Sequence, residues 1–207
     1  MKKVVILTGA GISAESGMST YRDAGGLWDN YPVMDVASVE GYYRNPALIH
    51  EFYSNLRTKL VRDIRPNAAH LAVAELERRF HVDVVTQNVD DLHERAGSTR
   101  VVHLHGELMK VRSTERPDRI YTLPCDRLTD TGLVTTVDTR DPYGAPVRPH
   151  IVFFGESVPE FERAVQLVQK ADVLVIVGTS LVVYPAAALL QYALTVTWPI
   201  FPTTGTD

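Results

Sequence analysis

His103 and His105 stand two residues apart at the end of the run Val101-Val102-His103-Leu104-His105, which Gly106 stops. Imidazole titrates near neutrality, so either ring suits a general base. At strand spacing both side chains would reach one face. Two plainer readings stay open: a buried histidine satisfied by a neighbour, or, with His93 nearby in sequence, an imidazole metal site. No carboxylate stands at a diagnostic zinc spacing, which ranks the metal last. A second polar set is Thr86-Gln87-Asn88-Val89-Asp90-Asp91-Leu92-His93. Its amides and carboxylates can orient an amide and a ribose by directional hydrogen bonds. Alternatively, Asn88 or Asp90 caps the helix that contains Leu92.

Gly9-Ala10-Gly11-Ile12-Ser13-Ala14 fits G-x-G-x-x-G/A. That pattern serves a tight turn, a close backbone approach to a pyrophosphate and a helix N-terminus facing the anion. A purely structural turn fits it equally well. The ordinary dinucleotide fingerprint would also end a second strand in an acid about twenty residues on. Here Ser19-Thr20-Tyr21-Arg22-Asp23-Ala24-Gly25-Gly26-Leu27-Trp28 follows instead. A glycine pair beside an arginine and a tryptophan reads as a mobile lid over a phosphate-bearing ligand, or as a surface loop with one buried tryptophan. Ile151-Val152-Phe153-Phe154-Gly155-Glu156 can form an extended edge that pairs with a peptide strand. Adjacent aromatics equally suit a core.

The elements that must position these groups follow from apolar runs and periods. Val4 to Leu7, Val82 to Val85, Val101 to His105 and Val173 to Val177 read as buried strands, and each ends in small or polar residues. Gly178-Thr179-Ser180 ends the last. Pro46 to Val61, Asn67 to Phe80 and Pro159 to Lys170 carry apolar residues near a 3.6 period and read as helices. Alternating strand and helix predicts an α/β, Rossmann-like, doubly wound parallel sheet with its binding crevice at the carboxyl ends of the strands. Arg112 to Arg148 has no helical period. It reads as a small inserted module, roughly residues 108–150, with short strands at Ile120 to Leu123 and Leu133 to Val137.

The 207 residues suit a single catalytic domain, residues 1–207, carrying that module. Hydrophobic and charged fractions of 45% and 22% are those of a globular protein. A net charge of −4 gives no basic field for nucleic acid or an anionic membrane. The opening Met1-Lys2-Lys3 leads only a short apolar run, so neither a secretory signal nor a membrane span is expected, and the cytoplasm is the default location. The single cysteine, Cys125, excludes an internal disulfide and a four-cysteine zinc site.

Together these motifs resemble the sirtuin (Sir2) family of NAD-dependent protein lysine deacylases, most closely its bacterial branch. The resemblance runs from about Val4 to Ala188 through Gly9 to Gly17, Thr86 to His93, His103 to Leu108, Arg148 to Glu156 and Gly178 to Ala187. It implies NAD as co-substrate and acyl-lysine proteins or peptides as partners, with nicotinamide and an O-acyl-ADP-ribose as products. By the resemblance, Gly9, Ala10, Gly11 and Ser13 line the pyrophosphate, and Tyr21, Arg22 and Trp28 belong to the cofactor loop. Gln87, Asn88 and Asp90 hold the nicotinamide ribose and carboxamide, and Gly178, Thr179 and Ser180 face the adenosine half. His105 is the catalytic base, and His103 is less essential. Tyr53, Val152, Phe153 and Gly155 border the acyl-lysine tunnel. An NAD glycohydrolase or ADP-ribosyltransferase on the same scaffold, or a catalytically weak NAD-binding module, are the alternatives.

Three departures qualify what the resemblance implies. The family's module usually carries a four-cysteine zinc site; with Cys125 alone, no zinc is expected and packing must hold the module. The branch that takes acidic acyl groups carries Tyr-x-x-Arg; here Tyr53 fits, but Leu56 holds the arginine position and Arg57 comes one residue later. One helical residue is a rotation of about 100°, so Arg57 is not expected to substitute. Finally, the likeness fades after Ala193, where the family adds a strand, an adenine-binding loop and a last helix. Leu194 to Phe201 reads as a strand candidate, and adenine binding is the function this departure touches.

Overall fold

The computed structural model describes residues 1–18, 31–125 and 132–193. Four strands, β1 (Lys3–Thr8), β2 (His81–Thr86), β3 (Val101–His103) and β7 (Val173–Val177), pair in parallel in the order β3-β2-β1-β7. The four expected strands are thus present, with β3 ending two residues early. The alternation along β1 divides the core. Val4 and Ile6 face Val82, Val84, Ile12 and Val73 on one side. Val5 and Leu7 face Val85, Val102, Leu104, Ala164 and Val168 on the other. A strand buried on both faces must be apolar at every position, and this is why these runs do not alternate. Each fully buried aliphatic chain contributes roughly 1.5–3 kcal/mol.

Helix α1 (Gly11–Ala14) is one turn long, followed by α2 (Val33–Val36) and α3 (Val39–Arg44), which the sequence reading did not separate. The long helix α4 (Pro46–Asp63) begins with Asn45 accepting from Leu48 N–H and with Pro46 in its first turn. Its last carbonyls are taken by two arginines: Arg65 bonds to Val61, Arg62 and Ile64, and Arg95 to Leu60 and Ile64. Helix α5 (Ala68–Leu76) starts on a capping box in which Asn67 and His70 satisfy each other's backbone donors. Helices α6 (Leu92–Ala96) and α7 (Phe161–Gln169) and a 3-10 helix, Ala186–Tyr192, complete the layers.

The inserted module is a three-stranded antiparallel sheet, β5 (Ile120–Thr122), β4 (Gly106–Ser113) and β6 (Val147–Ile151), in the order β5-β4-β6. Val111, Leu123 and Val147 form its own small core, with Tyr121, Cys125 and Leu133 against it. The expected strand at Leu133 to Val137 is a correction: no strand forms there. The backbone bonds of this stretch go to α4 side chains instead. Arg57 Nε donates to Leu133 O at 2.8 Å, Arg57 Nη2 to Thr135 Oγ1 at 2.9 Å, and Thr135 N–H to Ser54 Oγ at 3.1 Å. His50 Nδ1 lies 3.0 Å from the same Thr135 hydroxyl. The stretch runs as turns and irregular backbone, and its partner is a helix. The strand expected at Leu194 to Phe201 lies outside the described residues.

Candidate active site

All four parallel strands deliver polar residues to one crevice at their carboxyl ends, the expected place for a ligand in an open α/β sheet. At the end of β1, the glycine loop packs on the segment that leaves β7. Gly9 N–H donates to Val177 O at 3.1 Å and Gly11 N–H to Gly178 O at 2.8 Å. A Cβ on Gly9 would meet Thr179 Cβ at 2.6 Å, and one on Gly11 would meet Gly178 Cα at 2.9 Å. These glycines are therefore required first by backbone against backbone. Gly178 has φ +63, a left-handed conformation that glycine adopts without penalty. Since α1 is a single turn, the anion-facing helix end expected from the motif is short, and a macrodipole contributes little there.

A hydrogen-bonded set lies between β1 and β2. Asn88 Nδ2 donates to Gly9 O and to Ser13 Oγ, each at 3.1 Å, and Ser13 Oγ donates to Asp90 Oδ2 at 3.0 Å. Asp90 Oδ1 accepts from Leu92 N–H at 3.2 Å. Asp90 thus serves the start of α6, as the capping reading expected, and also joins this polar set. Burial raises the Asp90 pKa, against the lowering effect of Leu92 N–H, Ser13 and the His103 charge. Gln87 Nε2 reaches across to Thr179 Oγ1 at 2.8 Å, tying β2 to the β7 turn.

The two histidines sit in opposite electrostatic environments. His105 Nδ1 sits 3.0 Å from Gln87 O. A carbonyl only accepts, so Nδ1 carries the hydrogen and Nε2 keeps the lone pair. Burial lowers the His105 pKa, with the bond to Gln87 opposing it, so the ring is neutral at pH 7. His103 Nδ1 is 2.8 Å from Asn88 O and its Nε2 is 2.8 Å from Glu94 Oε1. Both its nitrogens face acceptors. Burial pulls the His103 pKa down, but the hydrogen bond and charge of Glu94 outweigh it and leave it raised. Glu94 thus favours the charged form of His103, while burial favours the neutral form of His105. The one-face reading of the pair does not hold, because β3 ends at His103. His103 lines a separate cavity of about 460 Å³ with Glu94, Glu107, Lys110 and His150.

Two histidines are buried beneath the crevice: His93, considered from sequence only as a metal ligand, and His70, which the sequence did not single out. His70 Nε2 lies 3.4 Å from Ser13 Oγ, and His93 Nε2 lies 3.1 Å from Thr8 Oγ1. Their ring centroids are 5.0 Å apart. Burial brings both pKa values to about 4, so both are neutral supports. The only local signal for His70 was its spacing from the cap residue Asn67. Among the described residues, no group of three His, Cys, Asp or Glu side chains could hold a metal ion.

On the proposed substrate side, Tyr53 and Phe153 are buried together, ring centroids 6.1 Å apart, in a cluster with Leu56. Val152 is half-buried and Gly155 exposed. The N–H groups of Val152, Phe153 and Phe154 already donate to His105 O, Glu156 Oε2 and Ala37 O. A peptide strand laid here must therefore pair through other groups. Tyr21, Arg22 and Trp28 lie outside the described residues. Ala10, Gly178 and Thr179 are half-buried and Gly11 and Ser180 exposed, at the crevice rim.

Fold and site define a parallel α/β protein whose crevice joins a glycine loop, an amide–carboxylate set and a neutral histidine. Residues 9–185 match the Sir2 family. A Bacteroides thetaiotaomicron protein named NAD-dependent protein deacylase is 55% identical over 192 residues, spanning 93% of this chain and 81% of that protein. A solved Sir2 homologue bound to ADP-ribose is 40% identical with a TM-score of 0.78, covering 92% of this chain and 75% of that one. A Sir2 homologue–NAD complex is 41% identical with a TM-score of 0.73, covering 92% and 73%. The chain belongs to the Sir2 family.

Proposed function

We propose that this chain is an NAD-dependent protein deacylase acting on acyl-lysine side chains, with His105 as its base. The observation that carries this reading is the tautomer of His105, whose Nε2 lone pair is kept free at the end of β3 by the bond from Nδ1 to Gln87 O. The donor set of the crevice fits NAD. A hydroxyl, an amide and a carboxylate (Ser13, Asn88, Asp90) form one network beside a backbone loop that no side chain covers at Gly11. NAD supplies the labile nicotinamide–ribose bond and the ribose that receives the acyl group.

Within this reading, Gly9, Ala10, Gly11 and Ser13 bind the pyrophosphate, and Gln87, Asn88 and Asp90 orient the ribose and the carboxamide. Gly178, Thr179 and Ser180 face the adenosine half. His105 Nε2 takes a proton from a ribose hydroxyl, a transfer suited to a neutral imidazole. Glu94 favours the charged form of His103, which lies near Asp90. Tyr53, Val152, Phe153 and Gly155 border the acyl-lysine, whose position relative to the ribose supplies much of the rate. The acyl end is uncharged: Leu56 is apolar, and Arg57 is fully buried with its donors spent on Leu133 O, Ser54 Oγ and Thr135 Oγ1. Acetyl is therefore favoured over succinyl or malonyl. No described helix is long and apolar enough to cross a membrane.

The test is to incubate the chain with NAD and a panel of acyl-lysine peptides, following nicotinamide and O-acyl-ADP-ribose. Peptide-dependent release of both is expected, largest for acetyl. Nicotinamide release that ignores the peptide would instead mark an NAD glycohydrolase. NAD binding without turnover would mark a catalytically weak module.

A further inference from the structure

The segment Ile151 to Glu156 leaves β6 and turns back at Gly155, where φ is +96. The turn is closed from both ends: Glu156 N–H donates to Phe153 O at 3.0 Å, and Phe153 N–H donates to Glu156 Oε2 at 2.8 Å. Two arginines grip the same carboxylate. Arg148 donates through Nη1 to Oε1 at 2.8 Å and through Nη2 to Oε2 at 3.0 Å, and Arg112 Nη2 reaches the two oxygens at 3.2 and 3.3 Å. Arg148 is itself fixed by a bond to Ile151 O at 2.9 Å, and its guanidinium lies 4.1 Å from the Phe153 ring centroid and 5.1 Å from that of Tyr42. Bidentate, stacked arginine of this kind sets geometry as well as charge.

The turn also connects to the base. Val152 N–H donates to His105 O at 2.9 Å, while Phe154 is paired on both sides, its N–H to Ala37 O at 2.8 Å and its carbonyl to Val39 N–H at 3.1 Å. The backbone that carries His105 and the backbone that walls the substrate are therefore one hydrogen-bonded unit. Glu156 is the side chain that closes its free end.

We propose that Glu156, gripped by Arg148 and Arg112, is a positioning residue that sets the height of the Val152–Gly155 wall relative to the His105 base. This rests on the deacylase reading. The carboxylate does not touch the reacting atoms. It fixes Phe153 N–H and the Phe153 ring, and through them the backbone on which an acyl-lysine lies. Phe154, with its side chain 46% exposed, is placed on the outer face by the same turn.

The experiment compares Glu156→Gln and Arg148→Lys with the wild-type chain. Readouts are kcat and KM for an acetyl-lysine peptide, ADP-ribose affinity by calorimetry, and thermal midpoint. Glu156→Gln keeps the shape but removes the charge that both arginines bind. Peptide kcat/KM should fall roughly tenfold to a hundredfold, the range for losing a hydrogen bond to a charged group. ADP-ribose affinity should stay unchanged. Arg148→Lys keeps the charge and loses the fork, and should fall with it. Peptide kcat/KM at the wild-type level in both variants overturns the proposal. A loss that tracks the thermal midpoint and weakens ADP-ribose equally also overturns it, since Glu156 would then be merely structural. A wild-type chain with no peptide-dependent nicotinamide release overturns the deacylase reading and this proposal together, and is recognised because it appears before any substitution.

Discussion

Acidification should unfold this protein from its buried histidines, well before its carboxylates are neutralised. His50, His70 and His93 are buried, and burial, the largest cause for each, brings their pKa values to about 4. In the unfolded chain the same rings take a proton near pH 6.5. Their folded pKa is depressed, so the stability they permit is complete above pH 6.5 and is lost as pH falls. Burial brings His150 to about 4 as well; each ring draws about 1.4 kcal/mol per pH unit across that window, so the four together cost about 5 kcal/mol per unit. By pH 5 the loss approaches the whole stability of an ordinary domain, about 5–15 kcal/mol. His103 has the opposite sign, because its pKa is raised. Its contribution is complete below pH 6.5 and decreases only as pH rises through its folded pKa, so it leaves the acid slope unchanged. Urea unfolding followed by tryptophan fluorescence between pH 8 and 5 measures the slope. His50→Gln, whose amide can still meet Thr135, should reduce the slope by about a quarter. A stability that changes by less than about 1 kcal/mol between pH 7 and 5 would refute the reasoning. Because His70 meets Ser13 and His93 meets Thr8, the floor of the crevice should loosen in the same pH range.

Four further outcomes are expected. His105→Ala should abolish peptide-dependent nicotinamide release and leave ADP-ribose affinity largely intact. In the wild type, the acid limb of kcat/KM should lie below pH 6.5, because burial lowers the His105 pKa and only a neutral ring accepts a proton; a limb above that value contradicts the assigned environment. Gly178→Ala should cost about 1 kcal/mol for its positive φ and more for the Cβ pressed onto the Gly11–Ile12 backbone, lowering the urea midpoint and ADP-ribose affinity together. Arg57→Met should destabilise by about 3 kcal/mol or more, since Leu133 O and the Thr135 and Ser54 hydroxyls lose a buried donor. Loosening of the inserted module should appear as faster amide exchange in β5 and β6.

Much of this was legible in the residues. A strand buried on both faces must be apolar, so β1 stands out in sequence, and the apolar runs of β2 and β7 stand out beside it. The small and polar residues that stop them mark the crevice, because parallel strands point their carboxyl ends the same way. The ordered motifs then named His105, Asn88 and Asp90. What could not be read was where each polar group finds its partner. A run such as Leu133 to Val137 reads as a strand in sequence, but its bonding to α4 instead depends on Arg57, Ser54 and His50, far away in the chain. Glu156 gave no local sign of its two arginines.

The sequence by itself determined the parallel sheet, the crevice and the chemical types brought to it, because burial pattern and spacing are local properties. Only the tertiary structure decided which nitrogen of His105 keeps the lone pair, that Glu94 favours the charged form of His103, and that Phe153 is core while Phe154 faces outward. Protonation and side-chain direction are set by burial and by partners remote in sequence. Those exist only once the strands and the inserted module have packed together.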